Sequence, residues 1–287
     1  ARIGPSMMGA DGPRSYLMAF PTNAEARGTG GLLGGFGILR FTDGKPTVDA
    51  LEDNTEIKKA SADVDLGPEF NDMYGSSNAT SDVRNSNQSS HFPYAAQIWK
   101  SMVERQSSVK LDGVIALDPI ALSYILGAEG SVTLPDGQVV TQDNVVELTE
   151  STAYIKFPGI QDQDARKQYL VNIANAVVGK MTGQVRSPGK LLDALGRAAS
   201  ERRISVWSAF PDEQKVLEET GLAHIVPDDA TPIAEVVINN FGGNKMDYYL
   251  KREIEYAADG CDGDMRNSTV TVRLTNTVSD VKPLPEY

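Results

Sequence analysis

A short apolar run that ends in a helix-start signal constrains this fold more than any other part of the sequence. Residues 109–117 are largely apolar and lack the alternation of a strand with one face in water. Such a run is typical of a central strand that is buried on both faces. Asp118 and Pro119 follow it and match an N-cap residue with proline in the first helical turn. A buried strand that leads directly into a helix predicts an α/β fold.

Other segments supply the partners that such a strand needs. Apolar strands are predicted at residues 15–20 and 38–41. Helical spacing of apolar residues predicts further helices at about residues 92–103, 164–181, 187–199 and 211–220. After residue 225 the pattern alternates without a helix, at residues 234–238, 246–257 and 268–278. We therefore predict a central mixed β-sheet flanked by helices over residues 14–225 and a β-rich C-terminal extension over residues 226–287.

Composition excludes several classes of function. The chain has 287 residues and a formal net charge of −12, which argues against a broad surface for DNA or RNA. Its one cysteine, Cys261, excludes an internal disulfide and a thiolate zinc site. No apolar run reaches the roughly 18 residues of a membrane span. Scarce cysteine suits the cytosol and the Gram-positive envelope alike. Composition alone does not choose between the two locations.

Residues 28–37 are rich in glycine and invite a phosphate-loop interpretation. No Lys-Ser or Lys-Thr pair follows them, and the spacing G-x-G-x-x-G is absent. The stretch also leads into a strand, whereas a nucleotide loop opens a helix. We predict a glycine-rich strand in close backbone packing. Backbone amides of residues 28–31 remain able to approach an anion beside Arg27.

Charged residues cluster at the start of the helix predicted from residue 164. Arg166 and Lys167 lie where the helix dipole disfavours cations, which suggests a phosphate site. Asp162 and Asp164 lie where carboxylates are favourable, so ordinary capping explains them equally well. The residues alone leave both interpretations open.

Three motifs spread along the chain are specific in combination. They are Asn23-x-Glu25-x-Arg27-x-Thr29-Gly30-Gly31, the run Leu-Asp-Gly-Val-Ile-Ala-Leu-Asp-Pro at residues 111–119, and Leu274-Thr275-Asn276-Thr277 with Leu284-Pro285-x-Tyr287. Together they resemble an actinobacterial envelope family known as domain of unknown function 4012. The resemblance covers the chain from about residue 12.

A second, more distant resemblance rests on the order of shorter pieces. Arg27 with Thr29, Asp118, Tyr154 with Lys156, and residues 162–168 follow one another along the chain. This order is similar to that of the LytR–CpsA–Psr phosphotransferases, which transfer wall glycopolymers from polyprenyl pyrophosphate to peptidoglycan or a comparable acceptor. In that family the Tyr-x-Arg-x-Arg piece is a strand, so the resemblance implies a strand at Tyr154 and Lys156.

The second resemblance also implies roles for individual residues. It assigns the catalytic contacts with the pyrophosphate to Arg27, Lys156 and Arg166. It assigns further binding contacts to Asn23, Glu25, Arg84, Asn85, Lys167 and Gln168. If Mg²⁺ is bound, its carboxylate ligands are Glu25, Asp162 and Asp164. The implied partners are a polyprenyl-pyrophosphate-linked glycan and peptidoglycan or another wall acceptor. The resemblance also implies a location outside the cytoplasmic membrane, with the native protein held at the membrane by an anchor outside this sequence.

Two departures from the phosphotransferase pattern support an alternative. Thr29-Gly30 replaces the segment that carries a metal-binding aspartate, and Pro158 replaces the second arginine of Tyr-x-Arg-x-Arg. The alternative is a non-catalytic domain that binds lipid or glycan, or serves as a structural scaffold in the envelope.

Overall fold

The computed structural model describes residues 2–49, 51–57, 60–229, 233–260, 265–281 and 284. The strands are β1 (Arg14–Thr22), β2 (Leu32–Thr42), β3 (Lys45–Val48), β4 (Glu52–Asp53), β5 (Gly113–Leu117), β6 (Val132–Thr133), β7 (Val139–Val140), β8 (Ile204–Ser208), β9 (Leu250–Ala258) and β10 (Ser268–Asn276). The helices are α1 (Gly4–Met7), α2 (Pro68–Tyr74), α3 (Phe92–Gln106), α4 (Pro119–Glu129), α5 (Val145–Glu147), α6 (Ala153–Lys156), α7 (Gln163–Thr182), α8 (Pro188–Ser200) and α9 (Pro211–Glu218).

The main sheet has the order β3-β2-β1-β5-β8, with β4 paired to β2. Strands β1 and β5 run parallel, with Tyr16 opposite Gly113 and Ala19 opposite Ala116. The other neighbours in this sheet are antiparallel. The predicted central mixed sheet flanked by helices is therefore confirmed. The parallel pair lies at its centre, as the apolar run at residues 109–117 indicated.

Strand β1 sends alternate side chains into two separate cores. Tyr16 and Met18 pack with α4, α7 and α8 on one face of the sheet. Leu17 and Ala19 pack with α3 on the other face. A strand with helices on both faces needs apolar residues on both of its sides, which explains the unbroken apolar sequence of the central strands.

Local signals place the helix after β5. The side chain of Asp118 accepts a hydrogen bond from the backbone N–H of Ala121 at 2.9 Å, and Pro119 opens α4. This confirms the predicted N-cap. No helix in the described part of the chain is both long enough and apolar enough to span a membrane.

The chain beyond residue 225 contains a two-stranded ribbon and, before it, a segment that forms no strand. Strands β9 and β10 form an exposed two-stranded ribbon, so the extra C-terminal strands are present as predicted. The strand predicted at residues 234–238 is wrong, because this described segment pairs with no strand and leads to Asn239 and Asn240, which bind the loop after β1. Cys261, Pro285 and Tyr287 lie outside the described residues.

Candidate functional site

The candidate site lies where the two parallel strands end side by side. Thr22 ends β1, Leu117 ends β5, and the loop at residues 23–31 follows β1. Ligands in open α/β sheets bind outside the carboxyl ends of parallel strands. The chain brings charged side chains to this edge from three remote segments, namely the loop after β1, the helical region at residues 145–182, and the arm at residues 239–249.

A buried ion cluster holds the loop after β1 in place. One carboxylate oxygen of Glu25 accepts a hydrogen bond from Arg27 at 2.8 Å, and the other accepts one from Lys245. Arg27 also donates to the backbone oxygens of Arg84 at 2.9 Å and Asn240 at 2.8 Å. The Arg27 side chain is only 4% exposed. Two cations on one carboxylate leave a net positive charge beneath the surface.

A polar pocket opens beside this cluster. We define it by Glu150, Tyr154, Arg166, Lys245 and Tyr249, and its volume is about 170 Å³. Arg166 donates to the backbone oxygen of Phe157 at 2.7 Å and lies over the Tyr154 ring, 5.3 Å from its centroid. The pocket wall therefore carries two cations.

The pKa of Lys245 depends on its burial and on its charged neighbours. Burial lowers its pKa, and the positive charges of Arg27 and Arg166 lower it further, against the opposing effect of Glu25. Three positive groups therefore act on one another around the pocket. An anion bound there would stabilise all three, which is the electrostatic condition for phosphate recognition.

An apolar pocket lies directly behind the polar one. We define it by Phe20, Leu117, Leu122, Leu170, Ala174 and Tyr154, and its volume is about 90 Å³. Helix α7 forms one wall and the ends of β1 and β5 form the floor. The ring of Tyr154 lines both pockets. A single elongated ligand can thus place an apolar part and a charged part in adjoining spaces.

Glu150 lies in the polar pocket on a turn that the sequence did not predict. The helical run that begins with α5 widens into a π-helical turn over Leu148–Thr152, and this turn buries Glu150 to 5% exposure. Its carboxylate accepts a hydrogen bond from the backbone N–H of Asn23 at 2.9 Å. Burial raises the pKa of Glu150 to about 7; the N–H of Asn23 opposes this rise and the charge of Asp118 adds to it.

Buried oxygen atoms near the loop after β1 have acceptor capacity to spare. Within the described residues, Asn23 Oδ1, Asn87 Oδ1 and Thr22 Oγ1 are buried without a hydrogen-bond partner. Asn87 is held by its own amide, which donates to the backbone oxygen of Gly31 at 2.7 Å. Asn23 and Asn87 line neither the polar pocket nor the apolar pocket behind it, so their oxygens lie under the surface of the loop.

Some residues that the sequence singled out do meet at this edge. Arg27, Glu25 and Arg166 lie around the polar pocket, and the backbone of Asn23 binds Glu150. Arg84 contributes its backbone oxygen to Arg27, while its side chain pairs with Asp82 at 2.5 Å.

Other predicted residues lie elsewhere. Lys156 pairs with Asp136 at 3.4 Å and lies 4.6 Å from the centroid of the Tyr169 ring. The strand implied at Tyr154 and Lys156 is wrong, because both residues lie in α6, where the preceding helical run continues. Because Lys156 is paired with Asp136, it does not line the polar pocket. The expected grouping of Lys156 with Arg27 and Arg166 is therefore not seen.

The remaining binding candidates have local partners. Asn85 donates to the backbone oxygen of Ser77 at 2.7 Å. Lys167 pairs with Asp53 at 2.9 Å at the rim of the apolar pocket. Gln168 donates to the side chain of Asn172 at 2.9 Å on the exposed face of α7.

The three carboxylates expected to hold magnesium do not fit that role. Glu25 is already paired with two cations, and Asp162 accepts from the backbone N–H of Gly159 at 2.9 Å. Asp164 is exposed in the first turn of α7. The described part of the chain contains no group of three or more His, Cys, Asp or Glu side chains placed to hold a metal. We derive no step through a metal ion.

Two residues of the site escaped sequence reasoning. Glu150 carried no clear signal, since residues 148–151 read Leu-Thr-Glu-Ser and only the π-helical turn buries it. Lys245 carried none, because only the fold of the arm brings it to Glu25, which is 220 residues away in sequence.

The family of the chain follows from its sequence profile. A family described as "Protein of unknown function (DUF4012)" matches residues 11–154, about half of the chain. The chain belongs to this family. The match includes the loop after β1, α4 and Glu150, so the DUF4012 segment contributes residues to the candidate site, whereas Arg166 and Lys245 lie outside the match. No protein with a curated description matches the sequence.

Several solved structures are similar to this member of the DUF4012 family. Protein gbs0355 from Streptococcus agalactiae has a TM-score of 0.42 and 12% identity, over 77% of this chain and 76% of that chain. EF0465 from Enterococcus faecalis, described as a transcriptional regulator, has a TM-score of 0.41 and 12% identity, over 76% and 74%. TagU from Bacillus subtilis, a LytR–CpsA–Psr family member, has a TM-score of 0.38 and 9% identity, over 71% and 80%.

Proposed function

We propose that this domain binds a polyprenyl-pyrophosphate-linked glycan outside the cytoplasmic membrane. The observation that carries the proposal is the contact between the two pockets through Tyr154. The prenyl end of the ligand occupies the apolar pocket and the pyrophosphate occupies the polar pocket. The combination of an apolar cavity with a few converging polar groups is typical of small-molecule sites.

Charge supports the placement of the pyrophosphate. A pyrophosphate diester carries about two negative charges, and Arg166 and Lys245 line the polar pocket. Arg27 lies beneath them and contributes its field without contacting the ligand, because its donors are used in the ion cluster. The positive field is local, so it is compatible with the acidic overall composition.

A pocket-filling substitution tests the apolar half of the site. In Ala174→Phe the new ring points into the apolar pocket, whereas in Asn175→Phe it lies on the exposed face of the same helix. We expect Ala174→Phe to weaken binding of a short-chain polyprenyl pyrophosphate at least about tenfold. Asn175→Phe serves as the control and should bind like the wild type. Equal affinities of all three proteins would refute the placement of the tail.

A charge substitution tests the polar half. Arg166→Gln should weaken binding of the same ligand by about tenfold to a hundredfold, since a charge-assisted contact is lost. Lys180→Gln, at the other end of α7, removes the same charge at a distance and should leave affinity unchanged. If both variants bind like the wild type, the pyrophosphate lies elsewhere.

Binding and transfer are separate claims. Transfer of the glycan to peptidoglycan or another wall acceptor would make the domain a phosphotransferase. The alternative, a non-catalytic binding or scaffold domain, is favoured by the pairing of Glu25 with two cations and by the remote position of Lys156. Incubation with magnesium, a lipid-linked glycan and a wall acceptor separates the two, because binding without product identifies a scaffold.

A further inference from the structure

Glu150 is an acidic residue in a pocket that we propose to bind an anion. It lines the same polar pocket as Arg166 and Lys245. In the described part of the chain no lysine or arginine forms an ion pair with it, whereas Glu25 takes the nearby Lys245. An ionised Glu150 would repel a phosphate placed between it and the two cations. A protonated Glu150 would instead offer an O–H donor to that phosphate.

We propose that the polar pocket binds a phosphate ester with Glu150 in its protonated form, so that the carboxyl O–H donates a hydrogen bond to a phosphate oxygen. The inference rests on the proposed pyrophosphate site. One oxygen of Glu150 is fixed by the backbone N–H of Asn23, at 2.9 Å. The π-helical turn keeps the carboxyl group pointed at the pocket. Ligand binding is thereby coupled to the uptake of one proton.

The surroundings of Glu150 support a neutral carboxyl group near physiological pH. Burial raises its pKa to about 7, and the negative charge of Asp118 adds to the rise. The backbone N–H groups of Asn23 and Ala24 and the charge of Arg203 oppose this rise in pKa. The charged and titratable groups that face Glu150 or line its pocket are Glu25, Arg27, Asp118, Tyr154, Arg166, Arg203, Lys245, Tyr248 and Tyr249. A bound ligand anion raises the pKa of Glu150 further. By the same linkage, protonation of Glu150 strengthens binding of the anion.

The two histidines do not compete as the source of such a pH dependence. Burial lowers the pKa of His91, and burial lowers the pKa of His224 to about 4. Both pKa values therefore lie below the ordinary value of about 6.5, and both residues are predominantly neutral at about pH 7, where Glu150 changes its charge. The carboxyl group is the titrating group on which the proposal depends.

Titration calorimetry with a soluble dialkyl pyrophosphate diester tests the proposal, since this probe keeps its two charges across the range. From about pH 6 to about pH 8 we expect the wild-type affinity to fall about tenfold, with a proton taken up at the higher pH. Glu150→Gln keeps a neutral donor and should bind equally at both pH values without proton uptake. Glu147→Gln removes a neighbouring exposed charge and should behave like the wild type.

Each outcome has a distinct meaning. If the probe does not bind to the wild type at any pH, the proposed pyrophosphate site itself fails. If it binds with the same affinity at both pH values and takes up no proton, the site stands and the role of Glu150 is overturned. If Glu150→Gln does not fold, Lys245→Arg decides the question, because arginine stays charged over this range and proton uptake that persists in this variant cannot come from Lys245. Loss of the uptake in Lys245→Arg would overturn the role of Glu150.

Discussion

The ion cluster of Glu25, Arg27 and Lys245 determines how the loop after β1 is held. Arg27 binds backbone oxygens from two distant segments, so its role is to join them as well as to carry charge. Truncating Arg27 would leave those oxygens without their donor and would leave Glu25 with Lys245 alone. The binding experiments therefore substitute Arg166, and the ion cluster is tested by measuring the free energy of unfolding.

Glu25→Gln should destabilise the protein strongly. The substitution leaves Arg27 and Lys245 as neighbouring cations without a countercharge, in a region where the Arg27 side chain is 4% exposed. Breaking a buried pair in this way costs about 3–5 kcal/mol. Urea unfolding measures the loss, and Glu253→Gln in an exposed pair should cost less than about 1 kcal/mol. Similar losses for both variants would contradict the description of the cluster.

Glycine is required at position 31 for steric reasons. A Cβ atom on Gly31 would lie 1.8 Å from the backbone oxygen of Thr22, whereas one on Gly34 would meet its nearest neighbour at 3.5 Å. Gly31→Ala should therefore cost at least about 3 kcal/mol, because backbone atoms must move. Gly34→Ala should stay within about 1 kcal/mol. Thermal unfolding of the two variants compares them directly, and equal stability would rule out the close packing.

At the scale of elements, the pattern of apolar residues predicted most of the fold. The central strand, the capped helix after it and α7 follow from local periodicity and capping residues, which act over a few neighbours. Tyr154 and Lys156 were assigned to a strand through resemblance, and local helix geometry prevailed. The contacts of Lys245 depend on a long-range return of the chain, which no local pattern records.

The ribbon of β9 and β10 has an apolar face that the described structure leaves uncovered. Val272 is paired with Ile254 and is 41% exposed, whereas Val114 in β5 is fully buried. Val272→Thr should change stability by less than about 0.5 kcal/mol, and Val114→Thr should cost about 1–3 kcal/mol through a buried hydroxyl. Thermal unfolding distinguishes them. A comparable loss at Val272 would show that this face is covered in solution.

For the whole molecule, two buried groups give opposing dependences of stability on pH. The raised pKa of Glu150, about 7, means that stability is lost as pH rises from about 4.5 to 7. The lowered pKa of His224, about 4 through burial, means that stability is lost as pH falls from about 6.5 to 4. Each shift corresponds to at most about 3 kcal/mol.

Removing either group should expose the effect of the other. Relative to the wild type, Glu150→Gln should gain stability as pH rises from about 4.5 to 7. His224→Gln should gain relative stability as pH falls below about 6. Urea unfolding over a pH series measures both differences. Variant profiles that run parallel to the wild type would show that these two groups do not titrate as the structure indicates.

The arm at residues 239–249 has a consequence for how the protein matures. All strands of the main sheet precede Lys245 in the chain, so the residues of the sheet and the pair of Glu25 with Arg27 are synthesised before the arm. The wall of the polar pocket that Lys245 and Tyr249 form comes only with the arm. The pocket is therefore completed later in synthesis than the sheet on which it is built.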